Sequence, residues 1–244
     1  MKYKYVILGV VYVLLFSLDC HFSNYPILNM IHTEYLTETD VLMSLHDSVN
    51  GYNGFLELLV VYTLPFLFGC YYISDKEVPC NVIRYTSREK YKKVEIKKVL
   101  FVAVIFTFFH QLIDYIYIVK KFSWSLLTEY SFVKYIIIAG CIAALFYVQT
   151  GILYHVINDW QKNDLVALIM ILCINFAQYV VIKYSIVSWW IPGKDLFVAF
   201  EVLSQNLNYA EVLFVVARNI LTTICLYLAS KIVFEKKDVM RHEK

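Results

Sequence analysis

Six continuous apolar runs constrain this sequence more than any other feature. The clearest is "VLFVAVIFTFFHQLIDYIYIV" at 99–119, and the others lie at about 5–22, 55–73, 132–157, 165–187 and 212–234. About 20 apolar residues in a helix match the roughly 30 Å hydrocarbon core of a bilayer. Backbone groups find no water there, so each run must be helical, and the runs lack the alternation of a β-barrel. The sequence predicts an all-α membrane protein with six transmembrane helices.

The distribution of charge predicts where the termini lie. Of all residues 60% are apolar and 17% charged, which leaves too little polar surface for a soluble fold. Most of the 22 Lys and Arg lie in segments on the same side as the N-terminus, whereas 19–54 contains none. Because basic residues stay inside, both termini are expected in the cytoplasm. We interpret 1–244 as one transmembrane domain of a bacterial cell membrane, with the first run uncleaved rather than a signal peptide.

Two of the predicted external segments are distinctive. The loop 19–54 is acidic, which would attract cationic peptides or would simply keep basic residues out of a translocated segment. The segment 188–211 is apolar but interrupted by Pro192-Gly193, with Trp189 and Trp190 suited to the headgroup level. It is predicted to be an interfacial or re-entrant hairpin in which Asp195 caps a short helix. An ordinary surface loop is the alternative.

The loop "SDKEVPCNVIRYTSREKYKKVEIKK", 74–98, carries eight Lys or Arg between two apolar runs. Retention of the loop inside the cell explains its charge. The pattern from Thr86 to Glu89 is also a capping box, which predicts a helix that continues into the third span. Pro79 suits the first turn of a short helix that ends near Tyr85. The loop is therefore expected to present a short transverse helix to the cytoplasm.

These features together resemble an ABC-2-type exporter permease. The stretch "VIRYTSREKYKKVEIKK", 82–98, is similar to the corresponding loop of small Gram-positive permeases linked to peptide or bacteriocin export and immunity. Such permeases commonly begin with an amphipathic interfacial helix, whereas four residues precede the first apolar run here.

The resemblance implies a homodimeric or heterodimeric pore that is driven by a separate ABC ATPase subunit. The ATPase would contact Pro79, Val82, Ile83, Arg84, Tyr85, Thr86, Arg88 and Glu89. It would also hold the ATP and Mg, because this chain lacks a P-loop and is expected to bind no cofactor.

Ionisable residues inside the apolar runs are candidates for function, because charge is costly in a bilayer. By helix rise, Asp114 and Arg218 lie at nearly the same depth and are predicted to pair. The alternative is that Arg218 extends outward alone while Asp114 faces water or is protonated. A metal site of His110, Asp114, His155 and Asp159 is rejected, because the two His–Asp pairs lie at different depths, and no metal is expected.

Four polar residues in the spans are candidates for a substrate path. These are His110, Asn175, Gln178 and Asn219. Side-chain hydrogen bonds between helices are the alternative explanation for such residues. The chain lacks the motifs of intramembrane proteases and any soluble domain for nucleic acid, so it is expected not to be an enzyme.

Two functions remain open on this sequence. The first is a permease subunit that exports a peptide or another amphipathic substrate. The second is a non-transporting membrane protein, such as a bacteriocin immunity factor or an assembly subunit.

Overall fold

The computed structural model describes residues 2–28, 37–46, 51–74, 88–186, 189–206 and 208–236. Within those ranges the chain is helical and has no strand, as predicted. The α-helices are α1 (Lys2–Leu28), α2 (Glu38–His46), α3 (Thr63–Ile73), α4 (Arg88–Val119), α5 (Trp124–Glu129), α6 (Phe132–Gln161), α7 (Asp164–Lys183), α8 (Phe200–Leu203) and α9 (Tyr209–Lys236). A π-helical turn, Glu57–Val61, precedes α3, and a 3₁₀ turn, Pro192–Phe197, precedes α8.

Five helices are long and apolar enough to cross a membrane, namely α1, α4, α6, α7 and α9. They correspond to the predicted first, third, fourth, fifth and sixth spans. The helices α1 and α4 extend well beyond the apolar runs 5–22 and 99–119. At about 1.5 Å per residue, α4 is roughly 48 Å long and exceeds the hydrocarbon core. These lengths and compositions are those of a membrane-embedded protein.

The second apolar run differs from the single helix predicted at 55–73. Its helical part, Glu57–Ile73, is shorter than the other five and changes from π to α geometry at Tyr62. Pro65 lies just after this change and has no backbone N–H to donate to the carbonyl four residues earlier. The Tyr62 N–H instead bonds the Glu57 carbonyl at 2.8 Å, which is the wider i→i+5 spacing. The proline explains why this segment is not a regular helix throughout.

The core is centred on α6, which is the most buried of the five long helices. It packs against α4, α7 and α9, and α1 packs on the other side of α4. Gly151 in α6 permits the approach of α4, because a Cβ there would lie 2.5 Å from Val99 Cγ1. The rings of Phe66, Phe106 and Tyr147 fill the space between α3, α4 and α6. The charged groups discussed below are attached to this rigid centre.

The segment 189–206 packs on the bundle. Leu196, Val202 and Leu203 are buried, and the Phe197 ring centroid lies 3.5 Å from that of Phe55. These side chains pack on the bundle; the interfacial or re-entrant hairpin stays a prediction. The expected helix cap by Asp195 is wrong, because no side chain caps the 3₁₀ turn and the Asp195 carboxylate is bound elsewhere.

Candidate functional site

One end of the bundle gathers the starts of α1 and α4 with the ends of α3 and α9. The Lys4 ammonium donates to the Tyr72 carbonyl at 3.0 Å, and Lys231 lies 3.2 Å from Glu89 Oε1. We call this the basic end. Both attachments of the segment 75–87, at Ser74 and at Arg88, lie here because they terminate α3 and begin α4. The segment 75–87 therefore starts and finishes at this end of the bundle.

A buried ion pair joins α4 to α6 at the basic end. The Lys92 ammonium donates to Asp159 Oδ2, and the two side chains are 3% and 1% exposed. Lys92 also lies 5.1 Å from the ring centroid of Phe234 in α9, and Tyr91 stacks on the same ring. Breaking a buried ion pair by removing one partner is strongly destabilising, because the remaining group has lost its contact with water and is less well compensated. The pair therefore holds three helices in one arrangement.

A second set of charges lies one turn further along α4. Lys98 Nζ is 2.7 Å from Glu95 Oε1, and the Ser74 hydroxyl donates to Glu95 Oε2 at 2.9 Å. Ser74 is the last described residue before the segment 75–87. We call Ser74, Lys92, Glu95, Lys98 and Asp159 the loop-base cluster. It connects the end of α3 and the start of α4 to the centre of the bundle.

Most residues of the predicted coupling loop lie outside the described part of the chain. These are Pro79, Val82, Ile83, Arg84, Tyr85 and Thr86, together with the predicted transverse helix. Arg88 begins α4, which continues without a break to Val119 as the capping pattern predicts. Glu89 is exposed in the first turn, where Lys93 and Lys231 lie 3.1 and 3.2 Å from its carboxylate.

The predicted pair of Asp114 and Arg218 is wrong. The Arg218 guanidinium donates to Asp195 Oδ1 in the 3₁₀ turn, while its centre lies 4.8 Å from the Trp190 ring centroid. Asp195 Oδ2 also accepts from Asn219 at 2.6 Å and from Trp190 at 3.0 Å. The folded segment 189–206 thus supplies a nearer carboxylate than α4 does. The depth of Arg218 was estimated from helix rise, but depth alone does not specify its partner.

The predicted substrate-path residues do not form one surface. Asn175 donates to the Thr63 hydroxyl at 2.8 Å, and Gln178 donates to Asn175 Oδ1 at 3.1 Å. Gln178 Oε1 in turn accepts from the Gly193 N–H at 3.1 Å. Asn219 accepts from Gln149 in α6 at 2.8 Å. These contacts are the interhelical hydrogen bonds of the alternative explanation. They join α7 to α3 and to the segment 189–206, and they join α6 to α9.

His110 belongs to a different group at the opposite end of α4. Its ring stacks on Tyr52 with centroids 4.4 Å apart, and its Nδ1 lies 3.1 Å from Gln111 Nε2. Asp114, one turn further, is fully buried and accepts from Asn53 at 2.9 Å. The His46 ring at the end of α2 lies 3.3 Å from the same carboxylate oxygen. Side chains near this group, including His46, also line a small cavity with Leu196 and Phe197, so we call this the hairpin end.

Sequence reasoning missed His46 and Asn53. Both lie in the segment 19–54, which was interpreted only as an acidic loop. The one available signal was "ETDVLMSLH" at 38–46, where Val41, Leu42 and Leu45 fall on one helical face and are buried. That face places His46 inside the bundle.

No group of three or more His, Cys, Asp or Glu in the described ranges is arranged to hold a metal ion. Asp159, one member of the metal site that the sequence rejected, is paired with Lys92.

Comparisons with known proteins gave no match to a family model, a curated protein or a solved structure.

Proposed function

We propose that this chain is the permease subunit of an ATP-driven, ABC-type exporter that moves a peptide or another amphipathic substrate out of the cell. A separate ABC ATPase subunit binds ATP and Mg and contacts the segment 75–87 together with the start of α4. Two permease chains form the pore in the bacterial cytoplasmic membrane. The termini of each chain lie in the cytoplasm, on the same side as the ATPase. The chain itself performs no catalysis.

The observation that carries this proposal is the loop-base cluster. A coupling segment can move the helices only if its two ends are held firmly to them, because otherwise the chain would bend where the segment joins the helices. The buried Lys92–Asp159 pair joins the start of α4 to α6, and Ser74 joins the end of α3 to Glu95 of α4. Both attachments of the segment 75–87 are thereby fixed to one rigid unit.

The length and continuity of α4 support the same mechanism. The helix runs unbroken from Arg88 to Val119, over roughly 48 Å. A movement of its first turn would therefore also move the hairpin end, because the helix has no break at which it could bend. The segment 189–206 is held there by Asp195 and Gln178, which bond it to α9 and α7. A tilt of α4 and α6 would move this segment relative to its neighbours, as an exporter requires.

One observation favours the second function, a non-transporting immunity factor or assembly subunit. Asn175, Gln178 and Asn219 use their polar groups in hydrogen bonds between segments of one chain. In this state they present no polar path to a substrate. A permease would have to expose them in another state or build its path at a dimer interface.

The experiment that separates the two functions is a pull-down of the tagged chain from its native cells in mild detergent, followed by mass spectrometry. A permease is expected to retain an ATPase at a fixed stoichiometry and to lose it when Ile83→Pro disrupts the transverse helix. Ser125→Pro is the matched control, because it adds a proline in the first turn of α5 at the hairpin end, where helices tolerate one. An ATPase that stays with Ile83→Pro would contradict the coupling role of the segment 75–87. A clean preparation without any ATPase would favour the non-transporting function.

A further inference from the structure

The contact between His46 and Asp114 joins α2 to α4 inside the hairpin end. His46 Nε2 lies 3.3 Å from Asp114 Oδ2, and the two side chains are 0% and 1% exposed. The described residues give Asp114 no cationic partner other than His46. An ionised carboxylate in such a place needs a compensating positive charge or a proton. The hydrogen bonds of the two side chains therefore have to be examined for the number of protons that they require.

The hydrogen bonds of His46 determine how many protons the contact holds. Its Nδ1 lies 2.9 Å from the Leu42 carbonyl oxygen. A carbonyl oxygen only accepts, so Nδ1 must carry a hydrogen. A neutral imidazole has one N–H, which leaves Nε2 as a bare lone pair facing a carboxylate oxygen. Two lone pairs repel, and therefore the contact requires one additional proton.

The additional proton can lie on either side chain, and the number of protons in the contact is the same in both cases. On Nε2 it makes His46 an imidazolium that donates to the carboxylate. On Asp114 Oδ2 it makes a carboxylic acid that donates to a neutral imidazole. Asn53 donates to the same oxygen at 2.9 Å in either case and adds no proton to the count. The contact thus holds one proton more than a neutral His46 beside an ionised Asp114.

We propose that His46 and Asp114 form a binding site for a single proton, and that this proton fastens the C-terminal end of α2 to α4. The inference does not depend on the proposed transport function. When the proton leaves for bulk water, the Asp114 charge remains buried without a cation and the hydrogen bond to His46 is lost. The end of α2 then separates from α4 or admits water to the site. The apolar contacts of Val41 and Leu42 keep the rest of α2 near the bundle, so the change is local.

The other titratable groups around Asp114 do not replace the proton. Cys20 of α1, Tyr52 beside Asn53, His110 of α4 and Tyr135 of α6 all act electrostatically with Asp114. The tyrosines and the cysteine add no positive charge in any state. His110 stacks on Tyr52, and its Nε2 has no hydrogen-bond partner among the described residues. None of the four lies between His46 and the carboxylate oxygen that it contacts.

Hydrogen–deuterium exchange of the full chain in lipid nanodiscs tests the proposal. Protection of the amides in 38–46, corrected for the intrinsic exchange rate, is followed from about pH 5 to about pH 9, where histidine sites change charge. The wild type is expected to lose protection at the C-terminal end of α2 by at least about tenfold as pH rises, the size of one charge-assisted hydrogen bond. The amides at the C-terminal end of α9, which lies at the basic end of the bundle, serve as the folding control.

Two variants separate a proton site from general alkaline loosening. In Asp114→Asn the new amide donates to the bare Nε2 while the Asn53 amide turns its oxygen to accept from it, so the contact needs no additional proton and protection should be high at every pH. In His46→Leu no side-chain hydrogen bond can link α2 to Asp114, so protection should be low and should not follow the charge of Asp114. A wild type without the pH step, or an Asp114→Asn variant that keeps it, would overturn the proposal.

Discussion

The helix α4 makes a buried ion pair or hydrogen-bonded pair near each of its ends, and the two differ in kind. Near the basic end Lys92 meets Asp159 of α6, and near the hairpin end Asp114 meets His46 of α2. The first pair joins an ammonium to a carboxylate, whereas the second is an imidazole–carboxylate contact, which we propose depends on one bound proton. Lys92 also joins two long helices, while His46 ends a nine-residue helix. One contact is suited to transmit force, and the other is suited to respond to its surroundings.

The largest effect is expected from breaking the fixed pair. Lys92→Met removes the ammonium that lies against the buried Asp159 carboxylate, and breaking a buried pair in this way should lower the free energy of unfolding by about 3–5 kcal/mol. Thermal unfolding of the detergent-solubilised chain measures the loss. The double change Lys92→Met with Asp159→Leu removes both charges and should recover most of it. Equal instability of the single and double variants would contradict a role for charge compensation.

A smaller loss is expected when the pair that holds the segment 189–206 is broken. Arg218→Met leaves Asp195 with its donors Asn219 and Trp190, and the arginine side chain is 25% exposed. We expect a loss of about 2 kcal/mol, typical of one charged hydrogen bond. The matched control is Lys194→Met, a partly exposed lysine of the same turn whose ammonium donates to the Trp189 carbonyl at 3.2 Å, and it should cost less than Arg218→Met. Unfolding by denaturant measures both, and a comparable loss in the two variants would show that the Asp195 contact is not the cause.

A third contact, between α3 and α7, contains no charged group, because Asn175 bonds the Thr63 hydroxyl and the Gln178 amide. Asn175→Leu removes the bonds to Thr63 and Gln178 and should cost about 1 kcal/mol, within the range of interhelical hydrogen bonds in membranes. Thr222→Val removes a hydroxyl that bonds only within α9 and is the control. The difference between their unfolding temperatures measures the interhelical contribution. An unchanged stability together with altered export would instead support a role for Asn175 in a substrate path.

The smallest effect concerns the N-terminal end of α2, opposite the His46 contact. Asp40 accepts hydrogen bonds from the Thr37 hydroxyl and N–H, which hold its pKa below the ordinary value. A lowered pKa in the folded state means that the stabilisation is present above the ordinary aspartate pKa and is lost as pH falls through the folded value. Low pH should therefore reduce the exchange protection of this end of α2, whereas high pH should reduce the protection of the end that carries His46. Exchange of the 38–41 amides in Thr37→Val, which removes the hydroxyl donor, should show the acid effect shifted to higher pH.

The long helices could be predicted from the sequence because a bilayer requires only that a run of consecutive residues be apolar and long enough to cross it. The runs that became α6, α7 and α9 are apolar for about the thickness of the hydrocarbon core, whatever their neighbours are. The second run shows the limit of this rule, since Pro65 changes its geometry without changing its hydropathy. The end of α2 shows another limit, because His46 is buried in a segment whose overall composition is that of an exposed loop.

The partners of the charged groups depended on tertiary structure. Helix rise gave Arg218 and Asp114 similar depths, but depth leaves open the direction around the helix in which each side chain points. The segment 189–206 folds back to place Asp195 beside Arg218, and α2 brings His46 to Asp114. Local hydropathy and length are enough to predict which segments are helical and apolar. Which charges meet depends on the rotation of each helix and on segments distant in the chain, and therefore could be read from the fold alone.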